Sequence, residues 1–154
     1  DEDFRVAVLR PPMIYGRESK GNYRPLEKLA KKLPVFPDVE NRRSMLYIDN
    51  LCEFLCKLML SGEGGIYFPQ NGEYTKTSEM VREIAEAAGK KIWVTKLLKP
   101  VVVAGSYVPG KISGLVDKAF GNNAYSQELS RYDGLEFDVT NPGKSILETE
   151  MPEV

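Results

Sequence analysis

Phe4-Arg5-Val6-Ala7-Val8-Leu9-Arg10-Pro11-Pro12-Met13-Ile14-Tyr15-Gly16 is the stretch on which the reading of the fold turns. Its first six residues are apolar on both alternating faces and carry β-branched Val6 and Val8, the pattern of an interior strand covered on both sides. Pro11 and Pro12 withdraw two amide donors and force an extended exit, so the strand ends at Arg10. An interior strand needs neighbours on both sides, and the later strand candidates are short and flanked by polar residues. Phe4–Leu9 is therefore expected to belong to a larger sheet whose other strands lie upstream of Asp1. The opening residue, Asp1 rather than Met, is read in the same way, as the start of an excised or truncated piece.

Downstream, helical and strand patterns alternate. Leu26, Leu29, Ala30 and Leu33 recur at helical spacing between Pro25, read as a first helical position, and Pro34. Pro34 to Arg43 reads as a polar surface crossing. Met45–Ile48 is a short strand, Asp49 is expected to cap the helix of Leu51, Phe54, Leu55, Leu58 and Met59, and Gly62 ends it. Gly64–Phe68 is a further strand. Thr77 or Ser78 starts a helix closed by Gly89, Ile92–Thr95 is a strand with Trp93 in the core, and Pro100 opens a helix broken at Gly105 and Pro109 and resumed to Gly121. The last helix starts at Asn141-Pro142. Such alternation predicts an α/β fold with largely parallel pairing.

Composition narrows the chemistry. The 154 residues are 42% hydrophobic and 28% charged, ordinary for one globular domain. With 21 basic and 22 acidic side chains the net charge is −1. The broad footprint for nucleic acid or an anionic membrane is missing, so neither partner is expected and an anionic ligand has to be met locally. There is no histidine, which excludes imidazole acid–base chemistry and His-based zinc sites. Cys52 and Cys56, four apart, are expected to be buried, reduced core thiols, in keeping with a cytoplasmic location. No metal site is expected, and no apolar run approaches the length of a membrane span.

Three blocks, Leu9-Arg10-Pro11-Pro12-Met13-Ile14-Tyr15-Gly16, Pro34-Val35-Phe36-Pro37 and Arg43-Ser44-Met45-Leu46-Tyr47-Ile48-Asp49-Asn50, stand in a telling order. With Gly65-Ile66-Tyr67-Phe68-Pro69-Gln70-Asn71 they resemble the C-terminal half of the extended short-chain dehydrogenase/reductases, specifically the NAD-dependent sugar-nucleotide epimerases and dehydratases. The resemblance implies residues 1–154 as a single substrate-binding domain, with residues 1–16 completing an upstream Rossmann sheet. It further implies a UDP-sugar as ligand, NAD held by the other half of the parent enzyme, and C4 epimerisation as the parent activity, with a homodimer open to that parent. A related reductase or dehydratase, or a noncatalytic binding module, is the alternative.

By that resemblance Arg43 contacts the diphosphate, as does Arg131 late in the chain. Bidentate, permanently charged guanidinium groups suit that task. Val35 and Phe36 would lie against the uracil, Met13 falls where the family contacts the substrate, and Pro12 and Tyr15 would pass the nicotinamide; Asn22, from its place in the Lys20-Gly21-Asn22 loop, is a candidate sugar or phosphate contact. Met13 departs from the family's Asn. No catalytic residue is assigned. Gly62-Glu63-Gly64-Gly65 precedes a strand instead of following one and so is no dinucleotide turn. Tyr107-Val108-Pro109-Gly110-Lys111 matches Tyr-x-x-x-Lys only in letters, because Pro109-Gly110 breaks the helix such a pair requires.

Overall fold

Parallel pairing, as the alternation predicts, organises the chain. The computed structural model describes residues 4–108, 110–135 and 141–151. Three two-stranded ladders form: β1 (Ala7–Leu9) with β5 (Gly65–Tyr67), β2 (Met13–Tyr15) with β4 (Met45–Tyr47), and β3 (Val35–Pro37) with β6 (Trp93–Thr95). Between them run α1 (Tyr23–Lys32), α2 (Ile48–Ser61), α3 (Thr77–Ala87), α4 (Lys99–Ser106), α5 (Lys111–Phe120) and α6 (Pro142–Glu150). The fold class is α/β, as expected.

Two cores result. Tyr15, Phe36, Met45 and Tyr47 from the strands pack against Leu26 and Ala30 of α1, Met80, Val81 and Ile84 of α3, and Ile146 of α6. A smaller cluster joins Phe54 and Leu58 of α2 to Tyr67 and Leu135, with Leu9 against it. The ladder β1–β5 belongs to this second core, which lies beside the first.

Several expectations fail for physical reasons. Among the described residues the apolar run Phe4–Leu9 pairs over its last three residues with β5 alone, and Phe4 (77%), Val6 and Val8 stay exposed. The crossing from Pro34 to Arg43 contains β3, and Phe36, Asn41 and Arg43 in it are buried. Asp49 is no cap: α2 begins at Ile48 behind Tyr47, which puts Asp49 in the first turn. Helix α1 starts at Tyr23, two residues before Pro25, and Leu29 and Leu33 lie toward its exposed side.

Cys52 and Cys56 do share a face, but it is the outer one. The inward stripe of α2 is Asn50, Phe54 and Leu58, and residues two positions away from a stripe member point to the other side of a helix. Trp93 is 68% exposed on β6, outside both cores.

Candidate functional site

Arg43 stands where three segments meet. Its backbone bridges to Thr75 on one side and Asn123 on the other, with Arg43 N–H donating to the Thr75 carbonyl at 3.1 Å and Thr75 N–H returning the bond at 3.0 Å. The side chain is buried, and its Nη1 donates to the carbonyls of Lys118 (2.6 Å) and Ala119 (3.1 Å) in the last turn of α5. A guanidinium is well matched to the negative end of a helix. Burial pulls its pKa down from the ordinary value, yet an arginine remains cationic in a protein. Among the described residues all its side-chain hydrogen bonds leave from Nη1.

On the open side of Arg43 is a cavity of about 450 Å³. Pro12, Met13, Lys20, Asn22, Arg43 and Asn123 are among its lining residues. Each is placed by an identifiable local feature. The parallel pairing of Met13 with Met45 brings the end of the proline exit beside the strand that Arg43 leads into. The loop from Gly16 to Asn22 turns the chain back, so that Lys20 and Asn22 arrive at the head of α1. Asn22 stands at the cap position without a side-chain bond to the helix, and no acidic residue occupies the first turn. The positive end of α1 is therefore neither capped nor neutralised by a side chain.

Among the described residues the lining contains two cationic side chains and no carboxylate. Three other clefts differ in that respect. One carries Glu18, Glu27 and Glu150, another Glu40 and Glu79, and the third Glu63. In a chain of net charge −1, an acid-free recess with two cations is suited to an anion of about two charges.

The other sequence-predicted residues lie elsewhere. Phe36 is buried with its ring 5.6 Å from that of Phe120, and Val35 is half-buried on β3 beside Trp93. Neither lines the cavity. Arg131 is exposed, follows the short helical turn Gln127–Ser130, and is likewise absent from the lining. The strand-like segment after it, Glu136–Val139, lies outside the described residues.

Tyr15 is inside the larger core, 1% exposed. Its hydroxyl lies 2.5 Å from Ser145 Oγ and accepts from Asn71 Nδ2 at 3.0 Å. Ser145 spends its own proton on the Pro142 carbonyl, so the phenol is the donor to Ser145. Burial raises the Tyr15 pKa, which keeps the phenol neutral and occupied.

Sequence reasoning missed Lys20, Asn123 and the hub Asn71. Lys20 and Asn123 lie in Gly-containing polar loops that look the same whether solvated or lining a cavity. Asn71 reads as a turn residue of Asn71-Gly72, but is 1% exposed, and its Oδ1 accepts from Tyr47 N–H and Asn50 Nδ2, both at 3.1 Å.

Known proteins share parts of this sequence and fold. Over 129 residues the chain is 30% identical to a UDP-glucose 4-epimerase of Vibrio cholerae, a match that covers 79% of this chain and 38% of that protein. The chain is similar in sequence to part of that epimerase. It spans well under half the length of that epimerase, and no family model matches it. Among solved structures, a UDP-N-acetylglucosamine 4-epimerase from Bacillus cereus superposes with a TM-score of 0.65 at 14% identity, covering 97% of this chain and 47% of that one. A UDP-glucose 4-epimerase of Thermus thermophilus in complex with NAD gives 0.58 at 21%, covering 92% and 44%. RMD from Pseudomonas aeruginosa, complexed with NADPH, gives 0.60 at 15%, covering 97% and 48%. These likenesses establish a shared fold with half of each of those chains.

The dinucleotides in two of those structures have no counterpart cradle among the described residues here. Gly62, at φ +64, ends α2 and Gly65 begins β5, so the glycines lead from helix to strand, the reverse of a phosphate-binding turn. Tyr107 follows the end of α4 and Lys111 starts α5, with Gly110 at φ +101 between them. The pair therefore does not share a helix. Neither sequence match therefore forms a dinucleotide site among the described residues, and no hydride step is assigned to them.

Proposed function

We propose that this chain is the nucleotide-sugar-holding portion of an NAD-dependent UDP-sugar 4-epimerase of the cytoplasm, whose redox centre resides in the other half of the parent enzyme. The observation that carries the reading is the cavity that gathers Arg43, Lys20, Asn22 and Met13 with no carboxylate among the described lining residues. In this proposal Arg43 and Lys20 meet the diphosphate, the amides at the head of α1 add a partial positive charge, and Asn22 and Asn123 offer two-way hydrogen bonds to ribose or sugar hydroxyls. Fixing the remote UDP orients the hexose for chemistry performed elsewhere, so binding energy is used for positioning.

Arg131, placed outside the cavity, is given no part in this clamp, and Phe36 is given a packing role. Met13 supports a second reading. A thioether on the cavity wall cannot supply the hydrogen bonds of an amide, which suits a parent acting on a different sugar nucleotide or on another ketone, as a reductase or dehydratase.

Titration of UDP-glucose into the isotope-labelled chain, followed by amide shifts, tests the proposal. Saturable shifts are expected at Met13, Lys20–Asn22, Arg43 and Asn123, with UDP reproducing most of them and free glucose none. Shifts confined to other clefts, or no saturable binding by either UDP or UDP-glucose, would overturn it.

A further inference from the structure

Near-neutral charge over the whole chain hides a segregated segment. From Ala87 to Val116, thirty consecutive residues contain five lysines and no Asp or Glu, which leaves the rest of the chain at −6. Lys90, Lys91, Lys96 and Lys99 are all exposed. Lys90 Nζ also donates to the Lys31 carbonyl, a bond that leaves its charge in place.

The same segment exposes its large apolar side chains. Trp93 is 68% exposed, Leu97 81%, Val101 66% and Tyr107 81%. Along α4 and just past its end, Val101, Val103, Ala104 and Val108 are all exposed, with Val101, Ala104 and Val108 at i, i+3 and i+7, while Val102 and Gly105 are half-buried. An apolar helical stripe turned outward, with an indole nearby and lysines as the only charges, is the composition of a surface that settles into the headgroup region of a bilayer. No described helix is long and apolar enough to cross a membrane, so contact at the surface is the mode that fits. Aliphatic Val101 and Leu97 have no use against a polyanion such as RNA, but they match acyl chains.

We infer that the Trp93–Val108 segment is a peripheral membrane-docking face, whose exposed Trp93, Leu97 and Val101 enter an anionic lipid surface that the flanking lysines recognise. The attraction is local, and the excess negative charge elsewhere on the chain would orient the molecule with this face toward the lipid. The inference is independent of the proposed nucleotide-sugar cavity, which uses none of these residues.

Trp93 is the sole tryptophan of the chain and serves as the probe. With vesicles of phosphatidylglycerol and phosphatidylcholine at low salt, the full chain is expected to co-float, its Trp93 emission to shift to the blue, and brominated lipid to quench it. Pure phosphatidylcholine vesicles, or molar salt, should reduce binding at least tenfold. Lys96→Glu with Lys99→Glu, and separately Leu97→Glu with Val101→Glu, should each weaken flotation at least tenfold with unchanged circular dichroism, since every replaced side chain is exposed. Absence of flotation, or flotation without quenching of Trp93, would overturn the inference. So would a Trp93 shift that follows protein concentration without lipid, which assigns the face to a second copy, or one elicited by poly(U) and not by vesicles, which assigns it to nucleic acid.

Discussion

Arg43 is asked to do two things at once, and its surroundings explain how. One nitrogen closes the C-terminal end of α5 through Lys118 and Ala119. The remainder of the fork is available to the cavity it lines. Arg43→Met is therefore expected to lower stability by about 1–3 kcal/mol, the usual cost of leaving buried acceptors unpaired, as well as to weaken anion binding. Denaturant unfolding checks the first effect. An unchanged midpoint would remove the α5 contact from the account. Lys20→Ala, at an exposed position, should affect binding alone.

The Asn71 hub ties β4, the head of α2 and Tyr15 together in the core. Asn71→Leu leaves several buried partners unsatisfied and is predicted to cost more than about 3 kcal/mol, whereas Tyr15→Phe removes one hydroxyl, the donor to Ser145 and the acceptor from Asn71, and should cost about 1–2 kcal/mol. Thermal unfolding of the two variants would reverse the account if Tyr15→Phe proved the more damaging.

Glu83 on α3 has a buried oxygen, Oε2, with no hydrogen-bond partner among the described residues. Burial raises its pKa; Arg82 pulls it back, and Glu79 and Glu86 push it further up. Because the folded value lies above the unfolded one, the ionised carboxylate costs stability at neutral pH, and that cost vanishes as pH falls below the unfolded value. Glu83→Gln is thus expected to raise Tm at pH 7 and to leave it unchanged near about pH 3.5. An equal Tm difference at both values would show that charge is not the cause.

At the scale of elements, much was legible. Gly62, Gly89 and the Asn141-Pro142 start delimit α2, α3 and α6 as read from the sequence, because turn chemistry is local. Asn141 accepts from Gly143 N–H as a cap should. What could not be read was which face of an element would be covered. Cys52, Cys56 and Trp93 are apolar by composition and exposed by position, because spacing groups side chains on one side without saying where the partner lies. The cavity was half legible. Arg43, Met13, Asn22 and Pro12 converge on it, while Lys20 and Asn123 reach it through loop geometry that no local pattern encodes. Arg131, exposed just after the turn Gln127–Ser130, is not among the residues that line it.

Two glycines give a graded test of the element boundaries. A Cβ on Gly16, at φ +152, would stand 2.3 Å from Ile48 Cγ2, at the point where the exit from β2 passes the start of α2. Gly62, at φ +64, would meet nothing within 4 Å. Gly62→Ala should cost about 1 kcal/mol from backbone conformation alone, and Gly16→Ala should cost more than about 3 kcal/mol because overpacking adds to strain. Equal losses in denaturant unfolding would contradict this placement of β2 against α2.

The molecule as a whole has an unfinished side. Val6, Val8, Ile66 and Met59 are exposed on or beside the β1–β5 ladder and α2, and Leu55, Leu58 and Met59 line a cleft with Ala7 and Leu9. That surface is what a strand patterned for burial on both sides leaves when, among the described residues, one neighbour covers it. It agrees with a division of labour in which this chain holds the ligand and another sheet holds the dinucleotide.

The most direct test of that division is calorimetric titration of the chain with UDP-glucose at low and high salt, wild type beside Lys20→Ala and Arg43→Met. The account predicts binding by the wild type that weakens as salt rises, a loss of at least tenfold in each variant, and a shallower salt dependence in both. Wild-type affinity retained in Lys20→Ala and Arg43→Met alike would contradict it.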